Sequence, residues 1–325
     1  MKALLLSTIL AAASATKVLL PLYVWPAEGA WDRVYKSIEA NSQLTFQIII
    51  NPNSGPGNSI PGDSREYIAG VTRLNSYSNV QLFGYVHCNY GTNSGNEINQ
   101  NVTQWNSWNT NPKTSIDGVF YDEIPNKEGN SEGVEFLASL VKTAEIVFGD
   151  RPCSSIFNPG APPQHVELYD SADYVVVFES EASSYSDAVL TKHIPSGKAG
   201  QSSILIYNFG GQDHDGQLGS WLQSMSSAGV ASANILNTVY SEANSDDEPA
   251  GIGSVASILS ACGVHSAAKP ANGTGSNASK LALSGISSAP GTSSISESLY
   301  NPHDKDSDHA KDEDHEKYEH RQDHD

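Results

Sequence analysis

The chain has 325 residues, of which 38% are hydrophobic and only 17% charged, and it carries a net charge of -19. That length holds one large domain or two small ones, and the acidity argues against a polyanionic partner such as nucleic acid. Few charges and many Ser, Asn and Gly residues fit an extracellular protein, whose acidic field would suit a neutral or cationic partner.

Residues 1–15 read as a secretory signal: Lys2 is the basic start, Leu4 to Leu10 the apolar stretch, and Ala13-Ser14-Ala15 the small-residue cleavage site. The stretch is too short to span a membrane, and no membrane association is expected. The first strand follows at Val18 to Val24, then a helix near 30–41 and a second strand at Phe46 to Ile50 that is ended by Asn51-Pro52. A Gly/Pro/Asn loop leads to a helix capped by Asp63, and a third strand runs from Val80 to His87. A polar helix is expected over 95–109, with Ile98, Val102, Trp105 and Trp108 on one face.

The fourth strand, Gly118-Val119-Phe120-Tyr121-Asp122-Glu123, is the stretch around which the others are arranged. It is an apolar run of the kind that fills a sheet covered on both faces, and it ends in two acids. Ionised carboxylates are costly away from water, so Asp122 and Glu123 belong where the strand leaves the core. An amphipathic helix follows at Glu132 to Phe148. Strands at Ser154 to Asn158, Asp173 to Glu179, Ser203 to Asn208 and Ala233 to Tyr240 complete the series, with a weak helix near 164–169, further helices near 184–190 and 216–228, and a last one from Ile252.

Eight strands alternating with helices predict a single α/β domain, a (β/α)8 barrel over residues 16–265. A doubly wound open sheet is the rival, but its Gly-rich phosphate loop is missing after the first strand, where Val24-Trp25-Pro26-Ala27 stands instead. Residues 266–325 form a Ser/Gly-rich and then His/Asp-rich tail, with ten acids, four bases and five histidines from Asn301 onward. By composition this is a disordered, solubilising segment, with metal or wall association as the alternative. Three cysteines, Cys88, Cys153 and Cys262, predict one disulfide and one leftover thiol in an oxidising compartment. Sequons lie at Asn101, Asn272 and Asn277.

Barrel enzymes carry their reactive groups at the carboxyl ends of the strands. Here those ends hold Tyr23 and Trp25, Asn51, His87 and Asn89 with Tyr90, Tyr121 with Asp122 and Glu123, Asn158, Glu179 with Glu181 two residues on, Tyr207 and Asn208, and Tyr240. Aromatic faces stack on sugars, amides and acids grip hydroxyls, and a pair of acids is what glycoside hydrolysis needs. Asp122 is expected as nucleophile, Glu179 as acid/base, with Glu181 its competitor, and Glu123 as the group that orients the pair. The aromatic and amide residues are expected to bind substrate. His87 reads equally well as a strand-closing polar residue. If Val175 and Val177 line the barrel, Glu179 points into its mouth. Tyr85, Phe178 and Trp221 read as core packing. No Gly-x-Ser-x-Gly elbow supports acyl transfer. Ligand-spaced His/Asp clusters are missing from the strand ends, so neither a metal nor a cofactor is expected.

Two pieces, Ile50-Asn51-Pro52-Asn53-Ser54-Gly55-Pro56-Gly57 and Phe120-Tyr121-Asp122-Glu123, resemble the spherulin-4 family, secreted proteins related to glycoside hydrolase family 135. The resemblance covers roughly residues 17–259 and implies a (β/α)8 barrel that cleaves α-1,4-linked N-acetylgalactosamine within galactosaminogalactan. It places the family's adjacent acid pair on Asp122 and Glu123 and its third acid on Glu179. The expected partner is then a galactosamine-containing extracellular polysaccharide, met by a monomer. A wall or coat protein that binds carbohydrate without cleaving it is the alternative.

Overall fold

The computed structural model describes residues 15–58, 61, 64–210, 216–238 and 251–267. The chain separates into units Met1–Ala271 and Asn272–Asp325, and the second lies outside the described residues, as does the expected signal stretch up to residue 14.

Strands β1 (Lys17–Leu22), β2 (Phe46–Ile50), β3 (Val80–His87), β4 (Gly118–Asp122), β5 (Ser154–Asn158), β6 (Tyr174–Glu181), β7 (Ser202–Tyr207) and β8 (Ser232–Ile235) pair in sequence order, all parallel, and close into a barrel. Between them run α1 (Asp32–Ala40), α2 (Arg65–Leu74), α3 (Gly95–Trp108), α4 (Ser131–Phe148), α5 (Leu168–Ser171), α6 (Val189–Lys192) and α7 (Gln217–Ser227), with α8 (Ile252–Ala267) after the last strand. This is the predicted (β/α)8 barrel. Near-continuous apolar strands form it because both faces are covered, by helices outside and by the filled lumen inside.

The two faces hold separate cores. Outside, Val119, Tyr121, Phe157, Val175 and Val177 pack with the helices. Inside, Leu19, Ile49, Phe83, Tyr85, Phe120, Ile156, Val176 and Leu205 fill the lumen. Towards the amino end, polar pairs complete the filling. Lys17 Nζ donates to the Tyr174 hydroxyl and lies 4.3 Å from that ring's centroid, and the Ser203 and Ser232 hydroxyls are 2.7 Å apart. Gly84 and Gly118 are where close approach forbids a side chain. A Cβ on Gly84 would sit 2.3 Å from the Trp105 ring, and one on Gly118 2.1 Å from the Ser154 carbonyl oxygen. Trp105 packs flat where Gly84 leaves room, and its Nε1 donates to the Tyr85 carbonyl at 2.8 Å.

Four expectations change. Ser64, not Asp63, caps α2, accepting from the Tyr67 N–H at 3.0 Å, and Asp63 lies outside the described residues. The fifth and sixth helices shrink to single turns at Leu168–Ser171 and Val189–Lys192, and a 3-10 turn at Ala182–Ser184 precedes the second. The last strand is described only as Ser232–Ile235, and Tyr240 lies outside the described residues. No disulfide forms, since all three cysteines are free thiols. Cys88 follows the carboxyl end of β3 whereas Cys153 precedes the amino end of β5, so the two flank opposite ends of the barrel.

Candidate active site

The register sets Asp122 of β4 opposite His87 of β3 on one side and Asn158 of β5 on the other. Asp122 faces the lumen with Phe120. The Tyr85 hydroxyl donates to its Oδ2 at 2.7 Å, and Asn158 Nδ2 donates to its Oδ1 at 2.6 Å. The same Asn158 nitrogen donates to Glu179 Oε2. An amide NH2 has two hydrogens spread by ~120°, so two oxygens bonded to one nitrogen stand within about 5 Å of each other. Asn158 therefore clamps the two carboxyl groups at a fixed close spacing. The Gly160 N–H donates to its carbonyl oxygen at 3.1 Å and sets which end of the amide faces the acids.

Glu179 reaches this place by an irregularity. Val176 lies in the inner core while Val175, Val177 and Phe178 lie in the outer one. The premise that Val175 and Val177 line the barrel is thus reversed. A bulge between Val176 and Phe178 inserts one extra residue, and Glu179 returns to the lumen opposite Leu205. Glu181 is exposed and meets the Ser183 hydroxyl at 3.4 Å rather than the acid cluster.

Glu123 follows Asp122 directly, and consecutive strand residues face opposite ways. Its backbone turns left-handed, with φ of 51°, and this brings its carboxylate to His87 on the neighbouring strand. His87 Nε2 and Glu123 Oε2 are 2.6 Å apart, the imidazole donating to the carboxylate. The loop after β3 is sewn to the same turn. Cys88 N–H donates to the Asp122 carbonyl at 2.9 Å and Tyr90 N–H to the Glu123 carbonyl at 2.6 Å.

Burial pushes the Asp122 carboxyl above the usual carboxylate range, while the Tyr85 and Asn158 bonds pull it back and the Glu123 charge adds to the rise. The phenols of Tyr23 and Tyr85 are raised first by burial and then by Asp122, so both stay protonated donors around the acid. Burial, with Asp122 and Glu123, pushes the Cys88 thiol up to about 12, which leaves it an inert packing group.

The remaining expected residues divide. Tyr23 packs edge-on to Tyr85 with ring centroids 5.7 Å apart, inside the site. Trp25 stands exposed after β1, supported edge-on by Tyr67. Half-buried Tyr207 ends β7 opposite Glu181, and Asn89 is exposed in the loop after β3. Asn51 turns its side chain to its own loop, accepting from the Gly55 N–H at 2.9 Å. Tyr121 is a correction: it faces outward and is fully buried against Phe157, because Asp122 points inward and the neighbour must point away. Phe178 and Trp221 are packing residues as expected, grouped around Tyr185. Tyr85 is also packed in the lumen, but its hydroxyl makes it part of the site. That role was open to sequence reading, because Tyr85 lies two residues before His87 and so shares its face. Tyr90 is legible as an aromatic in the turn after β3, but its left-handed backbone is not.

Residues 17–246 match the sequence profile of spherulation-specific family 4. Spherulin-4 of Physarum polycephalum is 31% identical over 206 residues, which are 63% of this chain and 57% of that protein. The crystal structure of Aspergillus clavatus Sph3 in complex with GalNAc is similar with a TM-score of 0.68 at 23% identity, covering 77% of this chain and 99% of that one.

Proposed function

We propose that this chain, which belongs to spherulation-specific family 4, is a secreted glycoside hydrolase that cleaves within an amino-sugar polysaccharide, galactosaminogalactan being the first substrate to test. The observation that carries the reading is the Asn158 amide bonded to both Asp122 and Glu179 at the mouth of the barrel. One amide nitrogen bonded to both acids holds the paired oxygens within about 5 Å, which fits the close spacing of retaining hydrolysis, whereas inversion needs ~6.5 to 9.5 Å to admit a water. The GalNAc held by similar Sph3 supports an amino-sugar substrate, and the apolar stretch after Lys2 supports export.

Asp122 suits the nucleophile because both of its oxygens accept hydrogen bonds, the pattern of an ionised carboxylate aimed by its neighbours. It attacks the anomeric carbon while Glu179 gives its proton to the departing glycosidic oxygen. Glu179 then takes a proton from water, whose oxygen displaces Asp122 and leaves the anomeric configuration unchanged. Glu123, held by His87, fixes the turn and the field beside the nucleophile.

The test is product release from α-1,4-linked N-acetylgalactosamine polymer by the secreted protein and by Asp122→Asn and Glu179→Gln. Each substitution should lower turnover by about a thousandfold. Azide added to Asp122→Ala should yield a glycosyl azide of inverted configuration, and added to Glu179→Ala one of retained configuration. Near-native turnover in both amide variants would refute the assignment. Binding without cleavage by the unaltered chain would leave the non-catalytic coat protein.

A further inference from the structure

Among the described residues the exposed large aromatics are Trp25 and Tyr90, and both stand in loops at the carboxyl ends of strands. Tyr90 is 55% exposed, yet its backbone is left-handed at φ 51° and ψ 29°, a conformation that a bulky side chain rarely adopts. Little burial compensates that strain. The segment is nonetheless firmly held. Tyr90 N–H bonds to the Glu123 carbonyl, Gly91 N–H bonds to the Cys88 carbonyl at 3.0 Å, and Gly91 is close to Pro125. The ring reaches across to the β5 loop, where the hydroxyl lies 3.6 Å from the position a Cβ on Gly160 would take. Gly160 is the residue whose N–H orients Asn158. Tyr90 thus spans from the Glu123 turn to the amide that clamps the two carboxyls. Its phenol is raised by burial and then by Glu123, Asp122 and Glu179, which agrees with a place beside all three acids.

We propose that Tyr90 is a substrate-positioning residue, the fixed aromatic wall against which one sugar ring of the polymer packs as its glycosidic bond enters the Asp122–Glu179 clamp. This rests on the glycan reading above. Backbone strain kept at an exposed position points to function rather than packing. A ring with one hydroxyl end suits a sugar, which offers an apolar face and a polar edge.

The experiment uses the full chain carrying Glu179→Gln, so that ligand survives, and measures affinity for size-fractionated oligosaccharides of α-1,4-linked N-acetylgalactosamine. Adding Tyr90→Ala should weaken binding about tenfold, while Tyr90→Phe and Tyr90→Trp should stay within about threefold. Tyr90→Gly should lose the same affinity and keep or raise the Tm, because glycine adopts this backbone without strain. Unchanged affinity in Tyr90→Ala, or a Tm drop in Tyr90→Gly without loss of affinity, would overturn the wall. In that case Trp25→Ala would still weaken binding and the glycan reading would stand. If the Glu179→Gln parent binds no oligosaccharide while remaining folded, the glycan reading fails and the wall with it.

Discussion

Asp122 holds its charge where burial opposes it. The native state raises its carboxyl above the unfolded value, with burial the first cause. A raised folded value means the native state keeps the proton more tightly. Stability is then fullest below the ordinary carboxylate range and is lost as pH rises through the native value. Asp122→Asn removes that cost at neutral pH, and its amide can still donate to the Tyr85 oxygen while accepting from Asn158. The variant should be inactive yet melt higher at pH 7, by about 2 to 4 °C for each kcal/mol recovered, and the gain should vanish near pH 3. Melting curves at the two pH values check this, and an equal gain at both would contradict it. Tyr121 gives the reverse case, since its buried hydroxyl has no hydrogen-bond partner. Tyr121→Phe should stabilise the fold by about 1 kcal/mol, as an unsatisfied buried polar group is removed, and leave hydrolysis unchanged. Loss of activity in that variant would restore Tyr121 to the cleft. The sequence held the means to place it, because one decision about the direction of Asp122 fixes Tyr121, Phe120, Tyr85 and His87 together.

The strands were legible because each is an apolar run set between turn residues and helical patterns, and eight of them in alternation leave few topologies. Their phase was legible only where polar and apolar residues alternate. In β6 the run Val175-Val176-Val177-Phe178 is apolar throughout, so nothing in it marks the extra residue between Val176 and Phe178. An inward Glu179 follows from alternation only if Val175 and Val177 line the barrel; they face outward, and the bulge turns Glu179 inward all the same. A swap of neighbours tests the phase. The double variant Glu179→Ser, Ser180→Glu moves the carboxyl one residue along β6, to a position opposite Ile206 of the outer core rather than Leu205 of the lumen. It should be as inactive as Glu179→Gln in the same product-release assay, and recovery of turnover would show that the bulge does not set the face. The left-handed turn at Glu123 was equally hidden, since it takes a break in strand geometry for two consecutive acids to serve one mouth.

At the scale of the whole barrel, the described residues set one cluster of acids at the carboxyl ends of the strands. Asp122, Glu123, Glu179 and Glu181 gather at the carboxyl ends of β4 and β6 and in the turn after β4. Asp117 lies instead at the amino end of β4, where its Oδ2 accepts from the Leu82 N–H at 2.8 Å. Lys17 in the lumen and Lys198 beside Asp170 stand at that same amino end. Further acids at Asp213, Asp215 and Asp246 to Glu248 lie outside the described residues. A mouth lined by carboxylates attracts a polycation, and removal of N-acetyl groups from a galactosamine polymer frees amines that make it one. Such steering raises the encounter rate and fades with salt, over a screening length of about 10 Å at 0.1 M. Hydrolysis of a partly deacetylated polymer should therefore fall steeply between low and physiological salt, seen in kcat/KM rather than kcat, while the fully acetylated neutral polymer changes little. The chain ended after residue 267 should keep the same salt dependence, because these mouth acids are all retained. Equal salt dependence on both polymers would reduce the acids to catalysis and solubility. Loss of the effect on truncation would instead move substrate capture to the His/Asp-rich segment, whose ten acids and five histidines from Asn301 onward then become the binding feature.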